Sequence, residues 1–309
     1  MQILSNDSSP WPRKSPESSA ASEPPSPNNV TAKKPNPMQS PPLPTQSSVL
    51  SPQSSPLPPL IELRDVYKSF GWLTVLAGVS LSIKAGESLV IIGASGTGKS
   101  VLLKHIVGLL QPDSGEVWFD GHRIDTLSER PLMEIRQRIG FLFQMGALFD
   151  SLNVRDNIAF PLREHTRKSD SEIRQIVADK LRMVGLSGIE QKLPTELSGG
   201  MKKRVALARA IALDPEVILY DEPTTGLDPV RSDVINQLII KLGRELKVTS
   251  ITVTHDMQSA FKIGDRIVML HEGKIIIEGT PQQIQASDNP IVRQFISGEA
   301  SEEELKSLQ

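Results

Sequence analysis

The stretch "SLVIIGASGTGKS", residues 88–100, constrains this chain more than any other. Its first half carries an unbroken apolar run, as in a strand buried on both faces of a parallel sheet. Its second half, Gly93 to Ser100, fits G-x-x-x-x-G-K-[ST] and leads into the helical run "VLLKHIVGLL". A strand, a glycine-rich turn and a helix in that order aim the backbone N–H groups of Gly93, Ala94, Ser95, Gly96, Thr97 and Gly98 inward at an anion. The helix N-terminus adds partial positive charge. In such a cradle Lys99 reaches the β- and γ-phosphates of a nucleotide, and the Ser100 hydroxyl ligates Mg²⁺.

The texture around this motif points to one parallel α/β core. "LIELRDVYKSF" and "VSLSIKAGE" alternate apolar and polar residues like half-buried strands, and "EVWFDGHRI" is a short strand with an Asp-Gly turn. Ile173, Ile176, Val177, Leu181 and Val184 recur at helical spacing in residues 170–184. "EVILYDE", "TSITVTHD" and "DRIVMLHEGKIIIEG" read as further strands, with a helix-rich insert between about 150 and 200. Residues 1–59 are mostly Ser, Pro, Asn and Gln and are expected to be disordered, with a polyproline docking tail at "PPLP" and "SPLPPL" as the alternative.

Composition excludes some chemistry. With 34 Lys and Arg against 36 Asp and Glu, the chain is nearly neutral, which argues against nucleic-acid binding by bulk charge. There are no cysteines, so no disulfide, thiolate nucleophile or cysteine metal site is possible. Apolar runs such as Leu89 to Ile92 fall far short of the ~20 residues of a membrane-spanning helix, and the N-terminal stretch has no apolar secretory core.

Two further stretches carry chemistry. "VILYDE" ends an apolar strand in Asp221, at the edge where open α/β sheets bind ligands. Beside a phosphate cradle, Asp221 holds Mg²⁺ through water, and Glu222 accepts a proton from, or orients, an attacking water. "ELSGGMKKRVALARA" makes a second anion site. Ser198 is a good N-cap, and Gly199 and Gly200 let a ligand approach the helix tip closely. Two cradles on one chain suggest two copies sharing a nucleotide, one supplying each side. Met201, Val205, Ala208 and Ala212 form an apolar stripe on this helix. Lys202, Lys203 and Arg209 lie off it, and Lys202 and Lys203 are expected on a solvated face.

With these residues in place, residues 61 to about 282 resemble the nucleotide-binding subunit of ATP-binding cassette (ABC) transporters. "LSGGM", Leu197 to Met201, resembles the ABC signature, with Met201 where the family usually has Gln. "FLFQ" resembles the Q-loop, "TGLDP" the D-loop and "TVTHD" the switch region. The resemblance implies that Gln144 senses Mg²⁺ and the attacking water, that Asp228 bridges two subunits and that His255 contacts the γ-phosphate. Phe70 is implied as the aromatic on adenine, with Tyr67 and Trp72 as alternatives. The implied fold is a P-loop α/β cassette with a mostly parallel core sheet, an antiparallel β subdomain and a helical signature subdomain. The expected organisation is an ATPase domain over residues 60–282, its helical subdomain at about 150–200, and a C-terminal extension over 283–309. The implied activity is ATP hydrolysis with Mg²⁺, performed by two copies.

"GALFDSLNVRDNIAFPLRE" and "NPIVRQFISGEA" resemble a narrower group, the ATPases of MCE-type (Mla) lipid transporters. That implies an integral-membrane MlaE-like permease, an MCE-domain lipid-binding protein and no nucleic-acid partner. It also implies a peripheral position on the cytoplasmic face of a membrane, either the bacterial inner membrane or a plastid envelope. Leu148, Phe149, Leu152, Ile158 and Phe160 are candidates for a permease groove, with core packing as the alternative. The acidic end "GEASEEELKSLQ" reads as a frayed terminus or a clasp on a partner. Another importer or exporter, or a non-transport ABC ATPase, remains the rival class. The repair, chromosome-structure and translation types carry zinc cysteines, long coiled coils or paired cassettes, features this sequence lacks.

Overall fold

The computed structural model describes residues 58–299. The expectations for residues 1–57 and 300–309 lie outside the described residues. The described chain opens with a hairpin, β1 (Ile61–Phe70) and β2 (Leu73–Ile83). The buried strand β3 (Ser88–Ile92) follows and feeds the Gly93–Gly98 turn and α1 (Lys99–Ile106). Helix α1 stops earlier than the apolar pattern through Leu110 suggests. Gly108 takes a left-handed φ of 66°, and the N–H groups of Leu109 and Leu110 turn back to the Lys104 carbonyl.

Next come β4 (Ser114–Phe119) and β5 (His122–Arg123). They are joined by Asp120 and Gly121 with φ of 50° and 75°, the backbone that a tight hairpin requires. Then α2 (Glu129–Gln137) and β6 (Ile139–Leu142) precede the helical insert. That insert holds α3 (Val154–His165), α4 (Asp170–Met183) and α5 (Gly199–Ala210). A reciprocal capping box between Ser169 and Glu172 starts α4. The rest is β7 (Val217–Asp221), α6 (Pro229–Leu246), β8 (Thr249–Thr254), α7 (Met257–Ile263), β9 (Arg266–His271) and β10 (Lys274–Gly279). Two short helices, α8 (Pro281–Gln285) and α9 (Pro290–Ser297), end the described chain.

The strands form two sheets. One is antiparallel, in the order β2-β1-β4-β5; the other runs β10-β9-β3-β8-β7-β6 and is parallel except for β10. In β3, Val90 and Ile92 join one core while Leu89 and Ile91 join the other. In β7, Ile218 and Tyr220 separate from Val217 and Leu219 in the same way. Both strands are therefore covered on two faces, which is why they read as unbroken apolar runs. Parallel register sets Ile92 beside Thr254, Asp221 beside Val253 and Leu142 beside Tyr220. The loops that leave these strands consequently gather at one carboxyl edge of the sheet.

Candidate functional site

That edge holds a cavity of about 710 Å³. The Gly93–Ser100 turn forms its floor, and two of its glycines are required by geometry. Gly93 has φ 153°, and a Cβ there would sit 2.3 Å from the Leu270 carbonyl oxygen. Gly98 has φ 99°, and its Cβ would meet Val75 at 2.9 Å. Lys99 is buried, and its Nζ donates to the carbonyls of Gly93 and Ala94 at 2.8 and 2.9 Å. The Thr97 hydroxyl donates to the Ala94 carbonyl at 2.9 Å. Burial pushes the Lys99 ammonium below its usual pKa, against the pull of Glu222 and Asp221.

Behind the turn, the Ser100 hydroxyl donates to an Asp221 carboxylate oxygen at 2.9 Å. Burial pushes the Asp221 carboxyl up, and the bond from Ser100 opposes this. Glu222 follows β7 with φ 49°, a left-handed conformation that costs a residue with a side chain about 1–3 kcal/mol. Its N–H donates to Val253 at 2.9 Å, and His255 Nδ1 lies 2.9 Å from its Oε2. Thr225 and Thr254 hydroxyls reach the same oxygen at 3.3 and 3.5 Å. Gln144 leaves the end of β6 and lines the cavity with Glu222 and His255.

Phe70 and Val75 line the same cavity. Neither Tyr67 nor Trp72 lines the cavity. The Tyr67 ring packs against Gly78, and Trp72 stands 94% exposed at the hairpin turn. Phe295, from α9, also lines the cavity and was not among the expected residues. The available signal was the helical spacing of Val292, Phe295 and Ile296 after the Asn289-Pro290 start.

The signature residues are not in this cavity. Leu197 is buried, Met201 packs against the core, and Ser198 caps α5 by accepting from the Met201 N–H. A Cβ on Gly199 would meet nothing closer than Leu227 at 3.8 Å, and one on Gly200 nothing closer than Arg231 at 3.9 Å. Neither glycine has a positive φ, so the chain's own packing does not demand glycine at either position. Asp228 caps α6, accepting from the Arg231 N–H at 3.0 Å, and is also outside the cavity. The chain thus presents two surfaces: a cavity with titratable groups, and, outside it, a helix tip bordered by Leu227 and Arg231.

Lys203 does not lie on a solvated face; it is 7% exposed and donates to the carbonyls of Gln144 (2.6 Å) and Glu222 (3.2 Å). The loop after Gln144 and the strand end at Glu222 close over that face of α5.

A second cavity, of about 590 Å³ and mostly apolar, lies beside the residues that follow Gln144. Phe149 and Phe160 are exposed there with ring centroids 4.9 Å apart, beside Phe143 and Pro161. Arg209 donates to the carbonyls of Gly146 and Ala147, and buried Asn157 bonds both backbone groups of Phe149. Of the residues expected in this groove, Ile158 is instead fully buried in the core, because α3 turns that face inward. Leu148 packs partly against the same core, and neither it nor Leu152 lines the groove.

Comparison with known proteins gives a consistent result. The family model described as "ABC transporter" matches residues 76–225. A probable ribonucleotide transport ATP-binding protein, mkl of Mycobacterium leprae, is 49% identical over 77% of this chain and 69% of its own. The intermembrane phospholipid transport system ATP-binding protein MlaF of Haemophilus influenzae is 47% identical over 78% of this chain and 91% of its own. Among solved structures, the dimeric post-hydrolysis state of the ATP-binding cassette MJ0796 bound to ADP and Pi is similar. It has a TM-score of 0.67 and 37% identity, over 72% of this chain and 98% of that one.

Proposed function

The chain belongs to the ABC transporter family and is an ATP hydrolase, and from that premise we propose that it powers phospholipid transport between membranes. The match to MlaF over 91% of that protein carries this reading. A ribonucleotide cargo, named for the mycobacterial relative, is the second reading; that match reaches 69% of the relative's length.

The cassette spans residues 60–282, and 283–309 form its extension. ATP lies in the cavity with its adenine on Phe70 and its phosphates against the Gly93–Gly98 turn, Lys99 and Ser100. The residues fit Mg²⁺. Ser100 and Asp221 offer hard oxygen donors 2.9 Å apart, and the Gln144 amide lines the same cavity. Among the described residues no cluster of three or more His, Cys, Asp or Glu offers a rival metal site. Mg²⁺, when bound, neutralises charge on the β- and γ-phosphates.

Glu222 then orients the attacking water and takes its proton as the water oxygen bonds to the γ-phosphorus and the bond to the β–γ bridging oxygen breaks. His255, held at Glu222, contacts the γ-phosphate. The second wall comes from another copy of the chain. Its Ser198–Gly200 tip, where a helix N-terminus leaves backbone N–H groups for a ligand and neither glycine is crowded closer than 3.8 Å, meets the γ-phosphate. Asp228 bridges the two copies. Hydrolysis removes the charge that holds them together.

Among the described residues no helix is long and apolar enough to cross a membrane, so an MlaE-like permease supplies the path. An MCE-domain protein carries the lipid. The chain sits peripherally on the cytoplasmic face of the inner membrane, with Phe149 and Phe160 against the permease. Purification of the full-length chain from its own membranes is expected to bring down a permease and an MCE-domain protein. Phe149→Ala is expected to lose the permease and retain the ATP affinity of the free chain. Recovery with ribosomes or nucleic acid, or unchanged permease recovery with Phe149→Ala, contradicts this.

A further inference from the structure

Lys203 is a buried cation that the mechanism above does not use. It sits in the second turn of α5, the helix whose tip is Ser198 to Gly200. Among the described residues no carboxylate lies within ion-pair distance of it; its two partners are backbone carbonyls, those of Gln144 and Glu222. Burying an ammonium without a carboxylate in contact is costly, and burial outweighs the pull that the Glu222 and Asp221 carboxylates exert from further away. A methionine or leucine would fill the same space without that cost, so packing alone does not explain the charge.

The partners it joins explain it better. Gln144 begins the loop that runs to the Phe149 groove, and Glu222 carries the carboxylate beside His255. Glu222 holds a left-handed backbone, which persists only where its surroundings enforce it. Its N–H donates to Val253 of β8, and its C=O accepts from Lys203 at 3.2 Å and from the Thr225 N–H at 3.3 Å, Lys203 being the only one of these donors that comes from α5. Losing the Lys203 donor would free this carbonyl to turn and carry Thr225 with it, whose N–H and hydroxyl both meet Glu222 and whose hydroxyl helps hold the carboxylate. We propose that Lys203 is a positioning residue that locks the Glu222 peptide and the Gln144 loop onto the signature helix. The opposing copy's nucleotide and the permease groove then act on the same carboxylate through one side chain. This rests on the role given to Glu222 above.

The test uses the full-length chain in its complex. Lys203→Met, which removes the charge and every donor at similar volume, is expected to lower kcat about tenfold or more. The Kd for a fluorescent ATP analogue is expected to stay within about twofold, as for a group that acts only in the chemical step. The thermal midpoint is expected to change little, because the relief of a buried charge and the loss of two hydrogen bonds oppose each other. Lys203→Gln keeps an amide donor that can reach one carbonyl, and an intermediate kcat with unchanged affinity is expected. It also decides the matter if the methionine chain does not fold. Wild-type kcat in folded Lys203→Met or in Lys203→Gln, or affinity that falls in step with kcat, overturns the proposal. Glu222→Gln prepared in parallel separates the two ideas. If it keeps turnover, the role of Glu222 fails; if it stops turnover while Lys203→Met does not, only the role of Lys203 fails.

Discussion

Glu222→Gln is expected to reduce ATP turnover by about 10²–10⁴-fold, the range for a lost general base, and to leave ATP affinity unchanged. The amide keeps the size of the side chain and its contacts with Thr225 and Thr254, but it cannot take a proton from water. Nucleotide would therefore bind and stay uncleaved. The γ-phosphate that joins two copies would persist, so the variant is expected to accumulate as an ATP-bound dimer. Single-turnover hydrolysis with light scattering checks both halves. Turnover close to wild type removes Glu222 from the chemistry, whatever the state of the dimer.

Lys99→Ala is expected to weaken ATP binding by about ten- to hundredfold, the value of one or two charge-assisted hydrogen bonds. Two effects add. The ammonium no longer reaches the phosphates, and the carbonyls of Gly93 and Ala94 lose the donor that holds the turn closed. Equilibrium binding of ATP distinguishes this from a defect in chemistry, because here the loss lies in Kd. Unchanged affinity contradicts the cradle.

The contrast between these two residues and Lys203 shows what a sequence makes legible. Gly93 to Ser100 is contiguous, so strand, turn, helix and charge are all specified within one short segment. The apolar runs of β3 and β7 announced two-sided burial, and the parallel sheet followed from it. Lys203 is different. A lysine on the second turn of a polar-looking helix reads as solvated, and its burial depends on a partner 59 residues away and another 19 residues away. Local periodicity carries no information about either closure. Ile158 failed for the related reason that apolar residues around an expected groove look alike until the helix orientation is known. Phe295 reaches the cavity only because α9 returns to the sheet edge, a long-range event that its own amphipathic spacing does not encode. The switch at Gly108, by contrast, is local, and a glycine inside an apolar helical run is a recognisable stop signal.

In this mechanism a nucleotide is shared by two chains, each giving one wall. The direct measurement mixes two variants in the assembled complex: Lys99→Ala, with a damaged cradle and an intact helix tip, and Gly199→Asp, with an intact cradle and an acidic tip. Each alone is expected to be nearly inactive. In a mixed dimer one pocket combines the intact cradle of the second with the intact tip of the first, so hydrolysis is expected to return on mixing. If Gly199→Asp alone hydrolyses ATP at the wild-type rate, or if mixing restores nothing while mixed dimers demonstrably form, the pocket is not shared between chains.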